Sequence, residues 1–411
     1  MSTRRISIAE LKPGMFVVGL DRSWLETPFV RHHFLIKDQE DIARLKHAGV
    51  RTLSIDPTKG LDVEAATPAG MRPLEPEPTV APIATETSHA GSLAEEMAAA
   101  GSVRDQARQA LQRLFDGVKT GAPFDLSGLV QALDDLLTEL VRHRTAMMLL
   151  AQISRMERSD RDPCAHALDV AVLSLALSLA HGFDMPTVKQ LGLGALLHDV
   201  GELRLPPSLF EKAGAYTREE RQLMMTHPRL GANLLARAGD APETTRRIVV
   251  EHHERLDGSG YPSKLQGAQI SLPSQIVGLV DEYDAMVSRR GNRPPLTARQ
   301  AMVRVYEHER QTHYDRSVVE RLIQCIGVYP IGTVVELNTG ERGVVIAVNL
   351  EARLKPTVKV LADPVGQSYP TPWVVDLSTL APSAPPRTIT RALDDLPTDW
   401  RDLFVPWPSP L

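Results

Sequence analysis

The chain has 411 residues, 43% of them hydrophobic, so it is long enough for two or three domains with buried cores. Its formal net charge of −5 excludes a general electrostatic attraction to nucleic acid polymers or to anionic membranes. Its two cysteines, Cys164 and Cys325, lie far apart, which excludes a disulfide framework and a thiolate zinc site.

Residues 1–60 predict a small α+β domain. Short apolar runs alternate with turn signals, and the KPGM segment at residues 12–15 predicts a turn between short strands. Ile42, Leu45 and Gly49 predict one short helix that is followed by a C-terminal glycine.

The N-terminal sequence favours a cytoplasmic protein without a membrane partner. Its basic start is not followed by the apolar core of a signal peptide. The longest apolar run, AVLSLALSLA, is expected to be too short to cross a bilayer.

The next two segments connect this domain to the rest of the chain. Residues 61–91 are rich in proline and alanine and predict a linker. Residues 92–158 predict connecting helices, of which the second is long and amphipathic. Its stripe of leucine and methionine suits packing against the following domain or, as an alternative, the face of a homodimer.

The remaining chain predicts a helical domain at residues 159–328, a small β unit at 329–380 and a proline-rich tail at 381–411. The β unit is indicated by β-branched residues that alternate around Asn-Thr-Gly and Arg-Gly turns. No structure is assigned to the tail. The predicted fold class is therefore multidomain and mainly α, with a small N-terminal α+β unit and a small C-terminal β unit.

The helical domain contains a set of side chains that are suited to metal ions and lie in apolar sequence. Five imidazoles and two carboxylates favour iron, manganese or a similar first-row ion over calcium or magnesium. Seven ligands are too many for one ion, whereas two ions about 3.5 to 4 Å apart would use them all. Such a pair of ions is the usual arrangement for phosphate ester hydrolysis, with a bridging hydroxide as the nucleophile. The set consists of His166, His198, Asp199, His227, His252, His253 and Asp281.

His198 and Asp199 are the predicted catalytic pair. Adjacent residues on a helix point about 100° apart, so Asp199 is suited to bridge two neighbouring ions. For an isolated His-Asp dipeptide the alternative is a buried histidine beside a helix-capping aspartate. The other ligand-type residues favour the metal interpretation.

Three long segments resemble the HD-GYP family, a branch of the HD metal-dependent phosphohydrolases. They are HDVGELRLP, EKAGAYTREERQLMMTHPRLGANLL and VVEHHERLDGSGYPSKLQGAQISLPSQIVGLVDEYDA. The N-terminal LKPGMFVVGLDRSWLETPF is similar to the small domain that often precedes HD-GYP domains in bacteria. The resemblance implies an all-α bundle that hydrolyses the second messenger cyclic di-GMP to pGpG, GMP or both.

The resemblance also implies how the ligands divide between two ions. One ion is expected at His166, His198 and Asp281, the other at His227, His252 and His253, with Asp199 as the bridge. The family signature is Gly260-Tyr261-Pro262. Its loop predicts a tight turn in which Gly258 and Gly260 adopt positive φ, and Tyr261 is a candidate contact for substrate or a partner protein.

Two positions leave alternatives open. Glu202 stands where family members commonly have a lysine that contacts a substrate phosphate, and Arg204 and Lys212 are the candidates to supply that positive charge instead. Asp162 is either a ligand of a third ion or, because it precedes Pro163, the N-cap of a helix. We expect two ions, with a third left open.

Two functions from different classes follow. The first is a metal-dependent cyclic di-GMP phosphodiesterase. The alternative is a non-hydrolytic cyclic di-GMP receptor or adaptor that binds a GGDEF-type partner, and Glu202 is the main argument for it.

Overall fold

The structure is a computed structural model that divides into two compact units, Met1–Thr79 and Val80–Leu411. It describes residues 3–21, 34–47, 49–61, 93–122, 124–157, 162–212, 214–238, 241–288, 295–310, 312–349, 352, 354–379 and 387–393. Most of the predicted linker at 61–91 and of the tail at 381–411 therefore lies outside the described residues.

The first unit contains a four-stranded antiparallel sheet and one helix, which confirms the predicted α+β class and its one short helix. The sheet order is β1-β4-β2-β3. Gly14 has φ +91° in the predicted turn, and Gly49 has φ +75° just after the helix. The elements are β1 (Arg4–Ser7), β2 (Phe16–Leu20), β3 (Phe34–Leu35), α1 (Gln39–His47) and β4 (Thr52–Ile55). Their core consists of Ile6, Leu11, Met15, Val17, Ile36, Ile42, Leu45, Val50, Leu53 and Ile55.

The second unit is mainly helical. Two short 3-10 helices, Val200–Arg204 and Gly267–Gln269, interrupt the series of α-helices. The α-helices are α2 (Leu93–Thr120), α3 (Ser127–Arg142), α4 (Arg144–Glu157), α5 (Pro163–His181), α6 (Met185–Leu197), α7 (Pro207–Glu211), α8 (Arg218–Met224), α9 (His227–Ala238), α10 (Glu243–Glu251), α11 (Leu272–Val287), α12 (Ala298–Arg310) and α13 (Arg316–Ile326).

The central helix of this unit is α5, which packs against α2, α4, α6, α11 and α13. By length and composition its 19 residues are sufficient to cross a membrane, which corrects the expectation drawn from the run AVLSLALSLA. Helical residues on either side of that run lengthen the apolar segment. In this structure 78% of the segment is buried inside the protein.

The predicted second connecting helix is two helices, because α3 and α4 are separated at His143. This residue has φ −131° and ψ 58°, outside the helical region, and its N–H donates to the carbonyl of Glu139. The prediction of one long helix was wrong because neither proline nor glycine marks the break.

The C-terminal part forms a five-stranded antiparallel sheet in the order β8-β7-β6-β5-β9. The Asn-Thr-Gly turn lies between β5 and β6 with Gly340 at φ +83°, whereas Arg342 and Gly343 lie within β6 instead of a turn. The sheet also includes a strand beyond residue 380, where no structure was assigned. The strands are β5 (Val334–Leu337), β6 (Arg342–Ala347), β7 (Thr357–Ala362), β8 (Ser368–Asp376) and β9 (Ile389–Leu393).

Two glycines allow close approach of the helices that carry the predicted ligands. A Cβ on Gly201 would overlap the carbonyl oxygen of His227 and lie 2.5 Å from the amide of Gly231. A Cβ on Gly278 would overlap the carbonyl oxygen of His252. Backbone contacts at such distances leave no space for a side chain. These glycines therefore bring the ends of α6, α9 and α10 and the middle of α11 together.

Candidate metal centre

All seven predicted ligands meet in one place, although they come from five separate segments. His166 lies in the first turn of α5, Asp281 lies on α11, and His227 begins α9. The two adjacent pairs follow helix ends: His198 and Asp199 follow α6, and His252 and His253 follow α10. Helix ends suit this purpose because the chain turns there and adjacent side chains diverge.

The seven side chains form two groups that share one residue. The first group, named here the carboxylate-rich group, contains His166, His198, Asp199 and Asp281. The second, named the imidazole-rich group, contains Asp199, His227, His252 and His253. Within each group the candidate ligand atoms lie within 4.8 Å of one another.

Asp199 faces both groups, one carboxylate oxygen to each. Its Oδ2 lies 3.1 Å from Nε2 of His198 and 3.6 Å from Nε2 of His166. Its Oδ1 lies 3.2 Å from Nε2 of His227 and 3.5 Å from Nε2 of His252. This is the geometry that a bridging carboxylate requires.

Several of these atoms are buried without a hydrogen-bond partner. They include Nε2 of His166, Nε2 of His198 and Oδ1 of Asp199. Buried polar atoms normally have a hydrogen-bond partner, so these three atoms indicate that a ligand binds here. Imidazole nitrogens and carboxylate oxygens in this mixture suit borderline first-row cations. The residues present therefore fit a divalent metal centre.

The outer nitrogens of three histidines are held by backbone carbonyls. Nδ1 of His198 lies 2.8 Å from the carbonyl oxygen of Ala195. Nδ1 of His227 lies 2.9 Å from the carbonyl oxygen of Met224. In His252 it lies 3.1 Å from the carbonyl oxygen of Val249. A carbonyl only accepts, so Nδ1 carries the proton and Nε2 presents its lone pair to the centre.

In the carboxylate-rich group, opposite charges shift the titration of both partners. Burial acts to lower the pKa of His166, but contacts with Asp199, Asp281 and Asp284 raise it well above its ordinary value. Burial acts to raise the pKa of Asp281, but His166 and His198 hold it below its ordinary range. The carboxylates therefore remain ionised.

In the imidazole-rich group, the pKa values of the two adjacent histidines are lowered, whereas that of His166 is raised. Burial lowers the pKa of His252, and burial together with the neighbouring His252 lowers that of His253 well below its ordinary value. His227 differs, since burial is outweighed by Asp199, which raises its pKa to about 9. Neutral His252 and His253 are in the form that binds a metal ion.

The loop of the Gly-Tyr-Pro signature lies against the imidazole-rich group. The Tyr261 ring stacks on His253 with ring centroids 4.6 Å apart. Gly258 has the predicted positive φ of +80°, but Gly260 does not. Glycine is required at 260 for another reason, because a Cβ would lie 2.5 Å from the amide of Arg255 and 2.6 Å from the carbonyl of His253.

Glu202 is near the centre, whereas Arg204 is exposed to solvent and Lys212 forms an ion pair with Glu220. The charge of Glu202 is among those that raise the pKa of His227 and of Tyr261. Arg204 is exposed, and the ammonium of Lys212 lies 2.6 Å from Glu220. The roles of Arg204 and Lys212 in substrate binding remain predictions.

Asp162 acts as a helix cap. Its side chain accepts from the amide of Ala165, Pro163 occupies the first turn, and the other carboxylate oxygen lies 2.6 Å from Arg108. Among the described residues, the groups arranged to hold a metal do not include Asp162.

Asp284 and Arg155, which lie behind His166, were not identified from the sequence. Asp284 accepts a hydrogen bond from His166 and another from Arg155, and all three side chains are largely buried. The spacing of Asp284, three residues after Asp281 on a predicted helix, was the available signal, because such residues share a helix face. Glu251 and Glu254, which flank the histidine pair, accept hydrogen bonds from backbone amides. Glu251 accepts from the amide of Ser271 and Glu254 from that of Ser263.

Three family models match the chain. A model described as an HD domain matches residues 144–318. A domain of unknown function (DUF3391) matches residues 3–128, and a KOW domain associated with the HD domain matches residues 334–382.

Curated relatives match most of the chain or a smaller part of it. A cyclic di-GMP phosphodiesterase of Pseudomonas aeruginosa is 32% identical over 365 residues, which cover 87% of this chain and 84% of the relative. The cyclic di-GMP phosphodiesterase response regulator RpfG of Xanthomonas campestris is 34% identical over 35% of this chain and 38% of the relative. A 3'3'-cGAMP-specific phosphodiesterase of Vibrio cholerae is 29% identical over 41% of this chain and 32% of the relative.

A solved structure is also similar. It is an HDG"Y"P protein from Bdellovibrio bacteriovorus with a TM-score of 0.47 and 17% identity, covering 78% of this chain and 98% of that chain.

Proposed function

The chain belongs to the HD-GYP family of metal-dependent phosphohydrolases, and from this premise we propose that it hydrolyses cyclic di-GMP at the centre described above. The observation that carries the proposal is Asp199, whose two oxygens face two separate groups of ligand-type side chains. A relative named as a cyclic di-GMP phosphodiesterase, similar over most of both chains, supports the choice of substrate.

The two ligand groups would each hold one ion. His166, His198 and Asp281 would hold one, His227, His252 and His253 the other, and Asp199 both. When bound, two such ions polarise a phosphate diester and make a water nucleophilic at neutral pH. The carbonyl contacts of His198, His227 and His252 keep each Nε2 available, and the stacked Tyr261 keeps the His253 ring in place.

The mixture of donors supports iron or manganese as the resident ions. The proposed products are pGpG, GMP or both. A third ion at Asp162 is not part of the proposal, since its carboxylate already caps α5 and pairs with Arg108. Two cysteines, both buried and free, support a cytoplasmic location.

The test is reconstitution with Fe(II) or Mn(II) under anaerobic conditions, followed by metal analysis and a timed assay with cyclic di-GMP and with pGpG. We expect two ions per chain and turnover. The Asp199→Ala variant should lose both ions and the activity. A wild-type protein that holds two ions and leaves both nucleotides intact would exclude the enzymatic function.

A second candidate function is a non-hydrolytic cyclic di-GMP receptor or adaptor for a GGDEF-domain partner. Glu202 favours it, because a carboxylate close to His227 repels a phosphate where the family commonly has a lysine. The Asp199→Ala variant separates the two functions: an adaptor keeps its partner affinity when the metal is lost. Size-exclusion chromatography with light scattering on the same samples tests the alternative that the chain forms a homodimer.

A further inference from the structure

The outer nitrogen of His166 has a different kind of partner from those of His198, His227 and His252. In His198 and His227 it faces the backbone carbonyl of the residue three positions earlier. In His166 it lies 2.7 Å from Oδ2 of Asp284, a carboxylate on another helix and 118 residues later in the chain. The orientation of this one imidazole therefore depends on how α5 packs against α11.

Asp284 is held in turn by a buried arginine. Its other oxygen, Oδ1, lies 2.8 Å from Nε of Arg155 on α4, and neither side chain is more than 3% exposed. Arg155 also donates to the backbone carbonyl of Asp169 on α5 at 3.2 Å. Arginine is always charged, so Asp284 beside it is an ionised carboxylate, which can only accept hydrogen bonds. Nδ1 of His166 must therefore carry the proton.

We propose that Asp284 and Arg155 are positioning residues of the metal centre: Arg155 orients Asp284, and Asp284 fixes the tautomer of His166 that presents Nε2 to an ion. This inference rests on the proposed two-metal function. A carboxylate behind a ligand histidine also makes the imidazole more basic and therefore a stronger ligand. We expect this effect in the carboxylate-rich group, because Asp284 contacts His166, which is a candidate ligand of that group.

The chemistry of an amide at position 284 makes the proposal testable. In Asp284→Asn, the carbonyl oxygen of the amide turns to the Arg155 donor, and its NH₂ group then faces Nδ1 of His166. That arrangement favours a proton on Nε2, which blocks metal binding, in the way that the wrong tautomer disables a catalytic triad. Volume and shape at the position are unchanged.

The first experiment measures Mn(II) binding to the full chain by titration calorimetry and by metal analysis after dialysis. Wild type should bind two ions. Asp284→Asn should keep one ion, at the imidazole-rich group, and bind the other about 10- to 100-fold more weakly. The retained ion also reports that the variant is folded.

Arg104→Gln is the matched control. Arg104 on α2 forms a similar buried ion pair, 2.6 Å from Asp169, in the same bundle. Its loss should lower the unfolding temperature and leave both Mn(II) affinities within about twofold of wild type, since neither Arg104 nor Asp169 belongs to a ligand group. An equal loss of Mn(II) affinity in Arg104→Gln and Asp284→Asn would reduce the effect to general instability and overturn the proposal.

A second pair of variants tests the proposal even if Asp284→Asn does not fold. Arg155→Met combined with Asp284→Asn removes both buried charges, and without the arginine donor the amide is free to turn its carbonyl to His166. Arg155→Met combined with Asp284→Leu has no acceptor for His166 at all. We expect the first double variant to bind the second Mn(II) about 10- to 100-fold more tightly than the second.

The results separate the inference from the function on which it rests. Equal Mn(II) affinity in the two double variants, or two tightly bound ions in Asp284→Asn, would overturn the positioning role while the two-metal centre stands. A wild-type chain that does not bind two Mn(II) ions would overturn the two-metal centre and the positioning role together.

Discussion

The two ligand groups share Asp199 but differ in the charges around them. The carboxylate-rich group has Asp281 in front of its histidines and Asp284 behind them, and the pKa of His166 is raised well above its ordinary value. The imidazole-rich group has no carboxylate of its own beyond Asp199 among its candidate ligands, and burial lowers the pKa of His252 and His253.

This difference indicates a division of roles. An ion in the carboxylate-rich group would be compensated by more negative charge. An ion in the imidazole-rich group would be held beside the Gly-Tyr-Pro loop, and the negative charge of Glu202, which acts on His227, would repel a substrate phosphate there. The following predictions test this comparison, beginning with the largest expected effect.

Removing one ligand from each group should show whether the groups are independent. Asp281→Ala and His253→Ala should each lose one ion and keep the other, because only Asp199 is common to both groups. Both should reduce cyclic di-GMP hydrolysis by at least about 10²- to 10³-fold, since each ion stabilises charge in the transition state. Metal analysis after dialysis and steady-state kinetics measure this. Loss of both ions from either variant would contradict the independence of the two groups.

Gly260→Ala should disturb only the imidazole-rich group. The added Cβ would lie 2.5 Å from the backbone of Arg255 and Glu254, so the loop must move away from His253. We expect the free energy of unfolding to fall by about 1 to 3 kcal/mol, and the ion of this group to bind more weakly.

Gly128→Ala is the control for that prediction, because a Cβ at Gly128 in α3 would meet nothing within 4 Å. Chemical denaturation should show unchanged or slightly higher stability for this variant. If Gly260→Ala is as stable as wild type and binds two ions, the close-approach explanation for Gly260 is wrong.

Glu202→Lys should sharpen the electrostatic side of the comparison. The substitution replaces a repulsive charge near His227 with an attractive one, so KM for cyclic di-GMP should fall by about two- to fivefold, the modest effect of a partly exposed charge. Glu219→Lys changes the net charge equally at an exposed position on α8 and should leave KM unchanged. A higher KM for Glu202→Lys would indicate that Glu202 has a constructive role in the centre.

Asp162→Asn should have the smallest effect. Asparagine caps helices as well as aspartate does, and the ion pair with Arg108 is partly exposed, so stability should change by less than about 0.5 kcal/mol. The metal content should stay at two ions per chain. Asp162→Ala, which removes the cap, should cost about 1 kcal/mol. A fall in metal content in Asp162→Asn would show that the carboxylate-rich group extends to a third ion.

Some features were predictable because they depend on local chemistry. The cap at Asp162 follows from an aspartate before Pro163, and the turn at Gly258 follows from Asp-Gly in a loop. The helical domain and the two small β-containing units were predicted from periodicity and turn residues. Features without a local signal were missed, such as the break at His143 and the strand Ile389–Leu393.

By itself, the sequence determined which seven side chains are suited to hold metal ions, because residue type and order along the chain carry that information. Only the tertiary structure decided that the oxygens of Asp199 face two different groups and that Gly260 is needed for close approach instead of a positive φ. It alone joined His166 to Asp284 and Arg155. The physical reason is that these contacts connect residues of different helices, so they exist only after the helices pack.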